Sequence, residues 1–355
     1  MRNRSKFIGV VLATYNGAQH LQGQLDSIRR QSVLPAEMVI CDDQSNDATA
    51  SMLQEFKSIA EFPVTIEIND RVFGPSDNFF QAAAKCSSEY IALCDQDDVW
   101  LEHKIEVCDA SIDKAHPDLI LHALVDFYRD ESGAEIVSKK WSLPNCGLKP
   151  GRAMNPSTIW PGMSLVANRK LFKDVATMRS AWYPYLDKIR NSRPEILYIH
   201  WADMHDLFLL TRARMEGTVF LIGEVCAKHR TRDGGHHSDP RGPGLRRIRE
   251  IEGAWGSSRA RPYKLWSLFC ADFLDYLDDI DRAGDFSEAR SYFARWSLLW
   301  SNRADIHSES SDPSLRFKGL ASNLNNGAYR SQWAGGFGAQ SLVKDGLGAL
   351  GGQFG

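Results

Sequence analysis

Long apolar runs are the first thing this 355-residue chain lacks. No stretch approaches the roughly 20 consecutive apolar residues that a membrane-spanning helix needs, which argues against an integral membrane protein. The chain also lacks a charge excess. Its 42 Lys plus Arg against 45 Asp plus Glu leave a formal net charge of −3, so no basic field points to nucleic acid. A cysteine framework is missing as well. The seven cysteines are scattered and odd in number, and they offer neither a disulfide scaffold nor a paired zinc spacing. They read as reduced, mostly buried thiols of a cytoplasmic protein. The N-terminus is basic, but the apolar run Phe7 to Ala13 gives way at once to Thr14-Tyr15-Asn16. That run is short for a signal-peptide core, and no clear small-residue cleavage site follows it. No solenoid-type repeat is present. What remains is 43% hydrophobic and 25% charged, ordinary for a globular protein, with room for one large domain plus an appendage or for two domains.

The first quarter repeats one pattern. Apolar runs at Phe7 to Ala13, Met38 to Cys41, Val64 to Ile68 and Tyr90 to Cys94 each end in polar residues. Between them, apolar residues recur at helical spacing: Leu21, Leu25 and Ile28, then Met52, Leu53, Phe56 and Ile59, then a short helix over Asn78 to Ala84. Strand, polar tip and helix in repetition predict a parallel sheet with crossover helices. Such sheets bind ligands beyond the carboxyl ends of their strands. Thr14 and Asn16, Asp42 and Asp43, Asn69 and Asp70, and Asp95 to Asp98 would all gather on that one edge.

The last of these tips carries the most chemistry. Asp95-Gln96-Asp97-Asp98-Val99-Trp100 sets three carboxylates within four residues, directly after an apolar strand. Acids in that place suit a hard divalent cation, because Mg²⁺ and Mn²⁺ take oxygen ligands and commonly share them with a substrate phosphate. The plainer reading is a solvated acidic turn capping the helix that follows.

Further along, Leu119 to Leu121 and Val219 to Ile222 read as strands, residues 129 to 157 as loops, and Asp203 to Met215 as a helix. Asp239-Pro240-Arg241-Gly242-Pro243-Gly244 reads as a boundary. Beyond it Trp266, Phe269, Phe273, Leu277 and Ile280, then Ala289, Phe293, Trp296 and Trp300, keep helical spacing, and the Gly-rich stretch 327–355 is expected to lack order.

Val11 to Gly17, Ser27 to Ser32, Ile40 to Asp47 and Asp95 to Trp100, in that order and spacing, resemble a family-two glycosyltransferase, with bacterial rhamnosyltransferase-like members of surface polysaccharide synthesis nearest. The likeness is clear over about residues 6–110, patchier to about 235, and fades beyond. It implies a GT-A type α/β fold, a Rossmann-like, mostly parallel mixed sheet for nucleotide-diphospho-sugar transfer, with the helical part as a C-terminal extension. The domain would cover 1–238, with a donor half to about 110 and an acceptor half after it. The extension would cover 239–326. The implied donor is a dTDP- or UDP-linked sugar, the acceptor a glycan or a lipid-linked saccharide, and the metal Mn²⁺ or Mg²⁺. The implied chemistry is inverting transfer.

Residue by residue, the resemblance makes Asp95 and Asp97 an Asp-x-Asp pair, with Asp95 toward the ribose and Asp97 the first metal ligand. Asp98 is an outer or alternative ligand. It places Thr14, Tyr15, Asn16, Asn69, Asp70 and Gly74 around the nucleotide, and one of Asp42 and Asp43, Asp42 first, on the pyrimidine base. An Asx turn that caps a helix competes with that role. The acceptor's general base falls on Asp206, with Asp203 as rival, and two helix-dipole acids as the bland alternative. Trp160 and Gly162 would line the acceptor side, although an isolated Trp is more often core. Where the family carries Tyr-Arg-x-His, this chain has His229-Arg230-Thr231-Arg232. Arg230 and Arg232 would contact diphosphate; Arg232 stands where the family has its histidine, and His236 would be a shifted substitute for that residue's metal role. Arg241, Arg246, Arg247, Arg249, Arg259, Arg261 and Lys264 would either seat the protein peripherally on an anionic membrane face or form a solvated helix face. Two rivals stand beside transfer. A sugar-phosphate nucleotidyltransferase would want a basic Gly-rich loop in place of Thr14-Tyr15-Asn16-Gly17. A non-catalytic glycan-binding or scaffold protein would tolerate the departures at His229 and Arg232.

Overall fold

The computed structural model describes residues 3–143, 146–157, 160–192, 204–231, 260–280, 286–308, 311–330, 336–337 and 339–351. The first quarter forms β1 (Ile8–Thr14), α1 (Ala18–Arg29), β2 (Met38–Asp42), α2 (Thr49–Ile59), β3 (Val64–Ile68), α3 (Pro75–Lys85) and β4 (Tyr90–Cys94). β1 runs parallel to β2 and to β4, and β2 parallel to β3. Their apolar runs are buried because both faces of the sheet are covered, which is why these strands read as continuous rather than alternating. β3 is the exception. It lies at the edge with Thr65, Glu67 and Ile68 exposed.

Next come β5 (Val99–Trp100), α4 (Lys104–Ala115), β6 (Leu119–Arg129), β7 (Glu135–Trp141), β8 (Gly147–Pro150), β9 (Leu165–Asn168), α5 (Arg169–Ser192), α6 (His205–Glu216) and β10 (Thr218–Arg230). The ten strands make one sheet in the order β3-β2-β1-β4-β9-β6-β10-β5, with β7 added to β6 and β8 to β10. β9 runs antiparallel to both β4 and β6 and joins the two parallel parts. The stretch 129–157, expected as loops, holds β7 and β8. β7, Glu-Ile-Val-Ser-Lys-Lys-Trp, is exposed over its first six residues and reaches the core only with Trp141, so its sequence shows no buried stripe. Gly133, at φ +82°, turns the chain between β6 and β7.

The C-terminal helices are α7 (Ala260–Ile280), α8 (Ser287–Ile306), α9 (Pro313–Asn325) and α10 (Ala339–Gly351). α7 and α8 lie along one another, and α8 also packs on α6. Trp182 of α5 meets Phe273 and Tyr276 of α7 with ring centroids 5.2 and 5.0 Å apart. Tyr292 donates to the Met154 carbonyl at 2.7 Å. The extension therefore shares the core of the sheet domain. The Gly-rich end departs from expectation, because α10 is ordered against α8. Asp345 is fully buried and accepts from Arg303 (2.9 and 3.0 Å) and Tyr329 (3.0 Å), with His307 at 2.9 Å. A buried carboxylate with that many partners outweighs a weak helix propensity. No described helix is long and apolar enough to cross a membrane.

Candidate functional site

The strand tips meet, and their side chains tie them together. Thr14 donates its hydroxyl to Asp42 Oδ1 at 2.6 Å. Ser45 gives its hydroxyl to the same oxygen at 2.6 Å and its N–H to Oδ2 at 2.8 Å. Asp43 accepts from the Asn69 amide at 2.6 Å and from the Gly74 N–H at 2.8 Å. Gly74 sits at φ +86°, a backbone that a side chain would strain. Asn78, which the sequence did not single out, accepts from Asn69 at 2.9 Å and donates to the Cys41 carbonyl at 2.9 Å. Both acids are thus buried and already hydrogen-bonded. A carboxylate offers about four acceptor positions, so Asp42 keeps less free capacity than Asp43.

Asn16, at φ +47°, bridges β1 to the following turn. Its N–H donates to Ser45 Oγ and its Oδ1 accepts from the Asn46 N–H, both at 2.8 Å. The Tyr15 ring is exposed, while its backbone is gripped on both sides by Gln96, which accepts its N–H at 2.9 Å and donates to its carbonyl at 3.1 Å. Gln96 therefore fastens the acidic turn to the first tip. Its place between two acids is the only sequence signal it has. The Asp70 side chain is exposed, and only its carbonyl is engaged, by Gln44 at 2.7 Å.

The acidic turn is fastened on its other side to the end of β10. β5 pairs antiparallel with Ala227 and Lys228. The Arg230 N–H donates to Asp98 Oδ1 at 2.8 Å, and Arg230 Nε to the Asp97 carbonyl at 2.7 Å. The guanidinium lies 4.6 Å from the Phe127 ring centre. His229 Nδ1 is 2.9 Å from Asp126 Oδ1, a contact across 103 residues of sequence. Sequence reading expected Arg230 at this rim and had no means of finding the Asp126 partner. Arg232, Asp203, His236 and His237, and Arg241, Arg246, Arg247, Arg249, Arg259 and the 239–244 boundary, lie outside the described residues.

Asp98 bears on the metal. It is buried, and its Oδ2 has no hydrogen-bond partner among the described residues. Burial pushes its carboxyl up to about 7, against the pull of His229, and the charges of Asp97 and Asp95 push the same way. Among the described residues no three His, Cys, Asp or Glu side chains form a ready cage. Mg²⁺ or Mn²⁺ shared with a diphosphate needs only one or two carboxylates, and an orphaned buried oxygen beside half-buried Asp97 fits that requirement. Without a cation, ionised Asp98 destabilises the fold. Its folded pKa lies above the unfolded value near 3.9, so stability falls as pH rises from about 4 to about 7 and stays low above that. Asp98→Asn is therefore expected to raise Tm by about 5 °C at pH 8 and by less at pH 5, which metal-free thermal melts at the two pH values would read.

Of the residues expected on the acceptor side, Asp206 and Gly162 lie near the same rim, as does His205. His205, the first residue of α6, donates its N–H to Ser76 Oγ at 2.9 Å, and its ring lies 4.3 Å from that of Phe79. Ser76 stands two residues after Gly74, so Asp206 is held beside the tip that Asp43 anchors. Asp206 is buried, and its Oδ1 accepts the Leu207 N–H at 2.7 Å. Gly162 comes so near His205 that a Cβ there would lie 2.7 Å from Nε2. Trp160 does not line an open face. It is buried, donates to the His122 carbonyl at 3.0 Å and meets Trp141 edge-on at 5.3 Å, so its indole is core.

Lys104 escaped sequence reading. It is fully buried at the start of α4, donates to the Met163 carbonyl at 2.7 Å, and sits 3.3 Å from the Trp100 ring centre. It thus links the strand after the acidic turn to the 162–164 turn. Burial pulls its pKa down to about 8. A lowered lysine pKa costs stability most at neutral pH, and the cost fades as pH climbs from about 8 toward 10.5. Lys104→Met removes the charge while keeping the length. Its Tm relative to the native chain should fall by about 3 °C or more between pH 7 and pH 10, measured by paired melts.

Residues 9–175 match the glycosyl transferase family 2 profile. The chain carries a family 2 glycosyltransferase domain. The match takes in Asp42, Asp43, Asp95, Asp97, Asp98 and Gly162, and stops before Asp206 and Arg230. Curated relatives of the domain include the dTDP-rhamnosyl transferase RfbG of Shigella flexneri, 35% identical over 101 residues that cover 27% of this chain and 34% of RfbG. The UDP-Glc:alpha-D-GlcNAc-diphosphoundecaprenol beta-1,3-glucosyltransferase WfgD of Escherichia coli is 25% identical over 100 residues, 28% of this chain and 38% of WfgD. The chain spans well under half the length of these relatives. Among solved structures, S. aureus TarS 1-349 superposes with a TM-score of 0.52 at 12% identity, covering 98% of this chain and 92% of that one. This likeness fixes the fold as GT-A type, with a mostly parallel mixed sheet and a helical C-terminal part, around the family 2 glycosyltransferase domain.

Proposed function

We propose that the chain transfers a hexosyl group, a deoxyhexose such as rhamnose, from a dTDP- or UDP-linked donor to a glycan or lipid-linked acceptor in surface polysaccharide synthesis. The observation that carries this reading is the buried, half-satisfied Asp98 beside Asp97, held between the β1 tip by Gln96 and the β10 end by Arg230. Named relatives support the donor class. RfbG is a dTDP-rhamnosyl transferase and WfgD uses UDP-Glc, and TarS has been crystallised with UDP and with UDP-GlcNAc.

In this reading the nucleotide lies along the tips. Tyr15 offers its exposed ring, and Asp42 or Asp43 accepts the imide N–H of the base. Asp43 has the greater free capacity, and each still fixes its own turn. Asn16, Asn69 and Gly74 shape the floor, and Asp95 lies toward the ribose. Asp97 and Asp98 hold Mn²⁺ or Mg²⁺, which supplies Lewis-acid neutralisation of the diphosphate when bound. Arg230 meets the same negative charge, and Arg232, which lies outside the described residues, is proposed to add to it. Asp206 takes the acceptor's hydroxyl proton while that oxygen bonds to the anomeric carbon. The bond from that carbon to the diphosphate breaks on the opposite side, so the configuration inverts and the nucleoside diphosphate leaves with the electron pair. A peripheral contact with an anionic membrane would bring a lipid-linked acceptor to this rim.

Incubating the chain with Mn²⁺ and a panel of dTDP-, UDP- and GDP-sugars, and measuring released nucleoside diphosphate, tests the reading. Turnover of a dTDP- or UDP-hexose above the others is expected. Turnover of none, or of a GDP-sugar alone, would contradict it.

A further inference from the structure

A second charged site lies far from the strand tips. A cavity of about 490 Å³ opens between the sheet domain and the helical extension, lined by Arg152, Arg295, Arg330, Asn325, Asn326 and Gly327. Arg152 belongs to the short turn Gly151–Ala153 after β8. Pro150, just before it, pairs with Thr218 at the first residue of β10, whereas Arg230 is the last. Register shifts shorten β10, so that Val219 to Arg230 runs alongside only Leu119 to Phe127 of β6; nine strand positions at about 3.3 Å each put the cavity roughly 30 Å from the donor rim.

Its charge is unbalanced. Arg152 pairs with exposed Glu288. Among the described residues neither Arg295 nor Arg330 has a carboxylate partner. Arg295 is half-buried and donates to the Asn326 carbonyl at 3.1 Å, at the end of α9. Burial and the nearby Arg330 both push its pKa down, the mark of a cation short of a counter-charge. A helix C-terminus attracts one cation, which accounts for Arg295; Glu288 accounts for Arg152, and Arg330 is left over. Three guanidinium groups against one carboxylate leave a net charge that a phosphate dianion matches. Planar guanidinium forks suit phosphate oxygens, and the asparagine amides can supply neutral donors. The volume lies in the range of small-ligand pockets and is larger than one orthophosphate needs.

We propose that this arginine pocket binds a phosphate-bearing anion of pyrophosphate or sugar-phosphate size, at a site separate from the donor rim.

Calorimetric titration of the full chain with pyrophosphate in EDTA tests it. Binding below about 1 mM is expected, weakening as NaCl rises from about 50 to about 300 mM. Arg295→Gln with Arg330→Gln should weaken it at least about tenfold, and Asp97→Asn should leave it unchanged. Arg330 is exposed, so Arg330→Gln alone serves if the double variant misfolds, with at least about fivefold weakening expected. No binding by the native chain, native-like binding by Arg330→Gln, or loss of binding in Asp97→Asn would each overturn the proposal. Co-sedimentation with phosphatidylglycerol vesicles against phosphatidylcholine vesicles identifies the source. Arg330-dependent pelleting assigns a lipid headgroup, and pyrophosphate binding without pelleting assigns a soluble phosphate.

Discussion

Asp206→Asn is expected to cut turnover by about 10²–10⁴-fold while the chain still binds its nucleotide. The substitution keeps the carbonyl oxygen that accepts the Leu207 N–H, so the start of α6 should hold its shape. His205 keeps its bond to Ser76 and its contact with Phe79, so the donor tip should not move. What is lost is the ability to take a proton. The measurement is kcat beside donor affinity for the native chain and the variant. Full transfer by Asp206→Asn would remove Asp206 from the mechanism. A parallel fall in donor affinity and melting temperature would make it a structural residue.

Asp97→Asn should lower kcat/KM by about 10²–10³-fold. The residue is half-buried, and its side chain has no hydrogen-bond partner among the described residues. Its Arg230 contact is made by the backbone carbonyl and survives substitution. The stability cost should therefore be small, within about 0.5 kcal/mol, and the loss of activity should not be a loss of fold. Raising Mn²⁺ should recover part of the activity, because Asp98 keeps its carboxylate. An Asp97→Asn chain with native kcat/KM at low Mn²⁺ would contradict the metal assignment.

β1, β2 and β4 were legible because each is buried on both faces and so reads as an unbroken apolar run. β3 and β4 begin and end where their residue types change. β10 was seen only as Val219 to Ile222, because its second half, Gly-Glu-Val-Cys-Ala-Lys-His-Arg, leaves apolar packing to meet the acidic turn. β7 was missed because an exposed edge strand has no buried face to mark it. α10 was missed because its order comes from long-range partners of Asp345, which composition does not record. The candidate site divides in the same way. Carboxylates that follow strands announce themselves. The Asp126–His229 pair, Lys104 under the 162–164 turn and the Gln96 clamp exist only once the chain has folded. Trp160 had two readings in the sequence, acceptor wall and core, and its burial matches the core one.

The most direct test of the account is a thermal shift of the native chain with UDP or dTDP, each with and without Mn²⁺. The strand tips, closed by Gln96 and Arg230 around Asp97 and Asp98, predict a rise in melting temperature when nucleotide and cation are added together, larger than the two separate rises combined. Equal stabilisation by nucleotide with and without the cation, or none in either case, would contradict the claim that this rim is a cation-assisted diphosphate site.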